Sequence, residues 1–134
     1  MARPKIESMC PFFIVSHVPR TIAFYVNTLG FKTSYTEPEA EPFFAIIQRD
    51  GASLFVKAGE APPLPNPKRD PAMRWDAYCY TLDPDALAAE FAERGAPFSK
   101  PLKDTTDGLR GFEITDLDGY VIFFGRPREM VSTN

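Results

Sequence analysis

Phe44-Ala45-Ile46-Ile47-Gln48-Arg49-Asp50-Gly51-Ala52-Ser53-Leu54-Phe55-Val56 aligns without a gap on Phe112-Glu113-Ile114-Thr115-Asp116-Leu117-Asp118-Gly119-Tyr120-Val121-Ile122-Phe123-Phe124. Each stretch reads as strand, Asp-Gly turn, strand. Asp-Gly between β-rich runs marks a tight hairpin, because a primed turn needs positive φ. The second half of the chain therefore repeats the first. Two copies of one unit pack around a shared groove, and residues at matching positions are expected to converge on one site from both halves.

Working outward, Ser8 to Val15 reads as a strand, with Pro11 placing it at an edge because proline lacks a ladder donor. A helix follows, capped by Ser16 or His17, with Pro19 in its first turn. Its apolar face is Val18, Ile22, Tyr25 and Leu29, and Gly30 closes it. Phe31 to Tyr35 is the next strand, followed by an acidic loop from Thr36 to Pro42. The second half opens with a strand from Arg74 to Leu82, where Trp75, Ala77, Cys79 and Thr81 share one face and Tyr78, Tyr80 and Leu82 the other. Asp83 caps a helix that starts at Pro84, buries Leu87, Ala88 and Phe91, and ends at Gly95. Pro97 to Lys103 is a strand, the second hairpin runs to about Gly125, and Arg126 to Asn134 reads as a loose tail. Each half is thus β-α-β-β-β. The halves span residues 8–58 and 72–126 of a single domain, 1–134, and an extended Pro-rich linker, 57–71, joins them. One half alone would leave an apolar sheet face bare, and pairing the halves buries it.

With 134 residues and 44% hydrophobic content the chain supports one packed core. A net charge of −3 and the absence of a basic cluster argue against a nucleic-acid footprint. No signal-peptide pattern opens the sequence, and no stretch approaches the ~18 apolar residues of a membrane span. Two cysteines, Cys10 and Cys79, do not make a disulfide framework. The expectation is a reduced cytoplasmic protein with neither membrane nor nucleic-acid partners.

The string Val15-Ser16-His17-Val18-Pro19-Arg20-Thr21-Ile22-Ala23-Phe24-Tyr25, ending in Leu29-Gly30-Phe31, resembles the first helix of the vicinal oxygen chelate superfamily. Phe112 to Tyr120 is similar to that superfamily's final hairpin. It includes glyoxalase I, fosfomycin- and bleomycin-resistance proteins and extradiol dioxygenases. The resemblance covers about Ser8 to Pro127, and it implies an α+β fold in which two paired β-α-β-β-β modules form a curved mixed sheet around a groove. It departs at His17, where the family usually has Asp. The family's metal enzymes hold a divalent ion at four positions, which the resemblance places at Cys10, Phe55, Ala77 and Phe123. Three of these carry no donor atom, and one thiol does not make a divalent-ion site. The resemblance is closest to the bleomycin-resistance branch, whose members lack the ligands, sequester a drug and are dimers; Pro11 matches a proline that this branch associates with exchange of the N-terminal strand.

The expected function is binding of a small aromatic molecule, such as an antibiotic, by a homodimer with no metal or other cofactor and no catalytic residue. The expected ligand-binding residues are Tyr35, Phe44, Phe55, Trp75, Tyr78, Tyr80 and Phe123. The alternatives are a lyase, isomerase or dioxygenase of the same superfamily with unaligned metal ligands, and a subunit that binds a protein partner. Glu37, Glu39 and Glu41 suggest an acidic rim for a cationic ligand. Cys10 reads as an inert thiol, and His17 as a cap rather than a base. Asp76, Asp104 and Asp107 lie in or near loops, without spacing for acid–base work.

Overall fold

The computed structural model describes residues 3–129. The first half runs β1 (Phe12–Ile14), α1 (Val18–Leu29), β2 (Lys32–Glu37), β3 (Phe44–Arg49) and β4 (Ala52–Lys57). A short helix, α2 (Asn66–Arg69), lies between the halves. The second half runs β5 (Ala77–Tyr80), α3 (Pro84–Glu93), β6 (Phe98–Asp104), β7 (Leu109–Thr115) and β8 (Val121–Pro127). The strands form two four-stranded sheets, ordered β1-β4-β3-β2 and β5-β8-β7-β6. In each, the first strand pairs in parallel with the last, and the other pairings are antiparallel. The repeated β-α-β-β-β order and the edge position of the strand beside Pro11 agree with the sequence reading. No helix among the described residues is long and apolar enough to cross a membrane.

The caps follow local chemistry. His17 Nδ1 accepts from the Arg20 N–H at 3.2 Å, and Gly30 ends α1 at φ 73°. Asp83 Oδ1 accepts from the Ala86 N–H at 3.1 Å. Both first strands are shorter than the sequence suggests: the paired register covers Phe12–Ile14 and Ala77–Tyr80, and single backbone bonds at Pro11, Val15, Asp76 and Thr81 extend it by one residue at each end. The linker is not wholly extended. Pro67 sits in the first turn of α2, the Asn66 N–H donates to Asp76 Oδ1 at 2.6 Å, and Pro65 is buried. β8 absorbs Arg126 and Pro127 from the expected tail; the rest of that segment, beyond Glu129, lies outside the described residues.

The two hairpins differ by one residue, which corrects the gapless alignment. Asp50 and Gly51 connect the paired residues Arg49 and Ala52, with Asp50 at φ 50°. In the second hairpin Leu117, Asp118 and Gly119 separate Asp116 from Tyr120, whose carbonyl accepts the Asp116 N–H, and Gly119 takes φ 91°. Phe55 and Phe123 remain equivalent. Their cross-strand partners are Ile46 and Glu113, so Glu113 stands where Ile46 does, rather than where Ala45 does.

Strand alternation then decides which side of each sheet is buried. Phe13, Ala45, Ile47, Leu54 and Val56 of the first sheet join Phe112, Ile114, Ile122 and Phe124 of the second in one core, with Tyr25 and Leu29 of α1 and Ala88 and Phe91 of α3. The halves thus meet through their helix-bearing sides, and the opposite sheet faces point away from this core. Within one chain the matching aromatic positions do not converge on a shared groove, contrary to the expectation from the repeat.

Candidate functional site

Each outward sheet face carries an aromatic cluster. On the first, Phe55 lies 5.6 Å from Phe12 and 5.8 Å from Phe44, ring centre to ring centre. Phe44 is 5.9 Å from Phe12 and 6.1 Å from Tyr35. These are edge or tilted contacts of the kind the ring quadrupoles favour. Phe12 is 55% exposed and Tyr35 48%, so the cluster is open to solvent. The Tyr35 hydroxyl donates to Glu37 Oε2 at 2.6 Å, and this bond raises the phenol pKa.

On the second face, Phe123 is stacked by Trp75 at 4.4 Å and by Tyr78 at 5.7 Å. Beneath it lie Gly111 and Gly125, a cross-strand pair. A Cβ on either would come within 2.5 Å of the Phe123 ring, so these glycines let the ring lie flat on the sheet. Phe123 is consequently only 2% exposed and acts as a platform under Trp75 and Tyr78. Trp75, expected on the face of Ala77 and Cys79, precedes β5 and turns to the Tyr78 side. Tyr78 and Tyr80 are exposed.

Glu113 fixes this arrangement. Its carboxylate is 4% exposed and accepts from Trp75 Nε1 at 2.9 Å and from Arg74 Nη2 at 2.7 Å. A buried carboxylate needs such partners, and here they also orient the indole ring. The sequence reading missed Glu113, Arg74 and Phe12. Phe12 has the same strand parity as Cys10, which was a usable signal. Glu113 was hidden by the one-residue difference between the hairpins.

The four positions assigned to a metal by resemblance do not fit one. Phe55 and Phe123 lie on different sheet faces, and Ala77 pairs with Ile122 and packs against the core. Three of the four have no donor atom, and among the described residues no three His, Cys, Asp or Glu side chains cluster to hold an ion. The remaining polar candidates are tied into the scaffold. Asp76 accepts from the Asn66 and Val121 N–H groups, Asp104 pairs with Arg110 at 3.0 Å, and Asp107 accepts from the Thr105 hydroxyl. Cys10 and Cys79 are free thiols.

This architecture has known counterparts. Residues 9–124 match the family described as Glyoxalase/Bleomycin resistance protein/Dioxygenase superfamily, and the chain belongs to that superfamily. Its fold is similar to that of TioX from Micromonospora sp. ML1, with 21% identity and a TM-score of 0.70 over 90% of this chain and 98% of that one. It is also similar to the bleomycin-binding protein from bleomycin-producing Streptomyces verticillus, solved with copper(II)-bleomycin, with 24% identity and a TM-score of 0.68 over 91% and 97%. A third similar structure is TnmS3, an antibiotic binding protein from Streptomyces sp. CB03234, with 24% identity and a TM-score of 0.64 over 92% and 99%. No protein of curated function matches the chain in sequence.

Proposed function

We propose that this superfamily member is a small-molecule-binding protein that acts as a homodimer, without a bound metal ion, and holds a largely aromatic compound such as an antibiotic. The observation that carries this reading is the outward direction of the two aromatic faces. Neither face encloses a ligand alone, and the two lie on opposite sides of one core. A second copy that sets its second-half face over the first-half face of its partner makes a walled groove, and the symmetric contact makes another. Residues 8–58 of one subunit and 72–126 of the other then supply the walls.

Tyr35, Phe44, Phe55 and Phe12 line one side of each groove, and Trp75, Tyr78 and Tyr80 the other, with Phe123 as support. Large rigid rings give contact area at low entropic cost, which is the usual chemistry of such grooves. The bleomycin- and antibiotic-binding proteins of similar fold support an antibiotic as ligand. The replacement of three metal-ligand positions by hydrocarbon supports binding rather than metal chemistry. The free thiols suit a reducing, cytoplasmic setting.

Trp75 is the sole tryptophan, so its fluorescence reports on the groove. Titration with copper(II)-bleomycin, metal-free bleomycin and a panel of aromatic antibiotics is expected to change that emission and to raise the unfolding temperature for at least one compound. Trp75→Ala, read by calorimetry, should weaken that binding about thirty-fold, or about 2 kcal/mol, as for a central aromatic anchor. No response to any compound in either signal would remove the binding reading.

A further inference from the structure

The seam between the two halves has two ends, related by the internal repeat and filled differently. At one end the Phe13 ring stacks on Tyr120 at 4.1 Å with the planes 6° apart, and the Tyr25 hydroxyl donates to Asp116. The register identifies the matching residues at the other end. Phe13 pairs with Val56 across β1 and β4, as Cys79 pairs with Phe124 across β5 and β8. Ala52 closes the first hairpin where Tyr120 closes the second. Two large stacked rings at one end are thus matched by a thiol and a methyl group at the other. Tyr25, whose carbonyl accepts the Phe31 N–H, corresponds to Phe91, whose carbonyl accepts the Ala96 N–H. Asp116 corresponds to Arg49, whose guanidinium lies 5.8 Å from the Phe91 ring centre.

The space left by the small residues is a cavity of about 600 Å³. Its walls include Ala52, Leu54, Ala77, Cys79, Leu87 and Phe91, and the exposed Met9, Tyr78 and Tyr80 border it, the two tyrosines on the edge that also faces the groove. Its volume lies within the roughly 300–1,000 Å³ of small-molecule sites. Arg49 is engaged in a two-pronged pair with Glu90, both contacts at 2.8 Å. Asp50 and Asp83 add two further acidic groups to the lining.

We propose that this cavity is a second small-molecule site, on the core side of β5 and meeting the sheet-face groove only at the Tyr78 and Tyr80 edge, and that it takes an uncharged, flat, one- or two-ring compound. Ring-sized space opens where the other end of the seam holds the Phe13–Tyr120 stack. An anion would meet three acidic groups against one guanidinium already paired. A cation would lose its hydration against the hydrocarbon walls with little return, because Asp50 and Asp83 are solvated at the rim and Glu90 is already paired with Arg49. A neutral ring carrying a hydroxyl or N–H group meets neither cost, and its polar atom has Ser53, Thr81 and the Arg49–Glu90 pair within the same lining.

The test uses 2-naphthol and the whole, unmodified protein. Cys79 lines the cavity and Cys10 does not. Burial raises the Cys79 thiol pKa, so alkylation by N-ethylmaleimide is followed at mildly alkaline pH by mass spectrometry. At about ten times Kd, 2-naphthol should slow alkylation of Cys79 roughly ten-fold and leave Cys10 unchanged. The double variant Ala52→Tyr, Cys79→Phe rebuilds the ring pair of the other end. By calorimetry it should lose 2-naphthol binding while keeping the Trp75 response to any groove ligand. Trp75 quenching by 2-naphthol without Cys79 protection would overturn the proposal, as would the absence of protection at millimolar concentration. Because protection is read on the wild-type chain, the test stands even if the double variant does not fold. It is also independent of whether the groove binds an antibiotic.

Discussion

Phe91→Ala is expected to lower the unfolding free energy by about 3–5 kcal/mol, the range for a fully buried phenylalanine. The ring is fully buried and lies edge-on to Phe112 at 5.7 Å and to Phe124 at 5.2 Å. It therefore joins α3 to the two central strands of the second sheet. It also borders the cavity at the seam, so truncation enlarges an existing space instead of letting the surroundings close in. The loss belongs toward the upper end of that range for this reason. A domain stable by about 5–15 kcal/mol would retain little margin. Urea unfolding followed by circular dichroism measures it. A change below about 1 kcal/mol would mean that the second half does not pack through this ring.

Asp116 makes the second large effect, and it depends on pH. Its carboxylate is buried, accepts from the Tyr25 hydroxyl at 2.7 Å and from the Asp118 and Tyr120 N–H groups at 3.0 Å, and links the halves. Burial outweighs these bonds and raises its pKa from 3.8 to about 6. Well below pH 3.8 the group is neutral whether the chain is folded or not. Between pH 4 and 6 the folded protein keeps a proton that the unfolded chain releases, so the stabilising contribution falls as pH rises through the folded-state value. Above pH 6 both states are ionised and the folded one carries a desolvated charge. At 1.36 kcal/mol per unit, the shift from 3.8 to about 6 corresponds to about 3 kcal/mol. Asp116→Asn stays neutral and keeps an acceptor for both backbone N–H groups. Its amide nitrogen cannot accept the Tyr25 hydroxyl, which adds an offset that does not change with pH, so the prediction is on the difference between the two curves: it should move in the variant's favour by about 2–3 kcal/mol between pH 4 and pH 7. The difference between the two urea curves isolates this group from Glu90, which its Arg49 partner holds at about 2 and which acts at lower pH. Parallel curves across that window would contradict the account.

Much of the architecture was legible because each signal was local. Pro19 and Gly30 bracket the first helix, Asp83 with Pro84 opens the second, and Asp-Gly marks both hairpins. The superfamily membership followed from the same strings. What the sequence concealed was non-local. Asp50-Gly51 and Asp118-Gly119 look identical as dipeptides, yet one turn holds two residues and the other three. That single insertion moved Glu113 onto the Trp75 face. Likewise, β periodicity separates Ala77 and Cys79 from Tyr78 and Tyr80, but it does not say which side the other half covers. The pairing of two repeats was foreseen, whereas their contact through the helix-bearing sides is a property of the assembled core. Trp75 left its expected face because β5 begins only at Ala77, and the Glu113 carboxylate captures the indole N–H.

Cross-linking tests most directly whether two subunits build the groove. Tyr35→Cys marks the first aromatic face and Tyr78→Cys the second, each in a Cys10→Ser, Cys79→Ser background. The two proteins are unfolded together, refolded as a mixture and treated with bis-maleimides of graded length. The account predicts a covalent dimer joining residue 35 of one chain to residue 78 of the other, and no such product from either protein alone. A chain carrying both substitutions that is bridged within itself, at monomer mass, would contradict it.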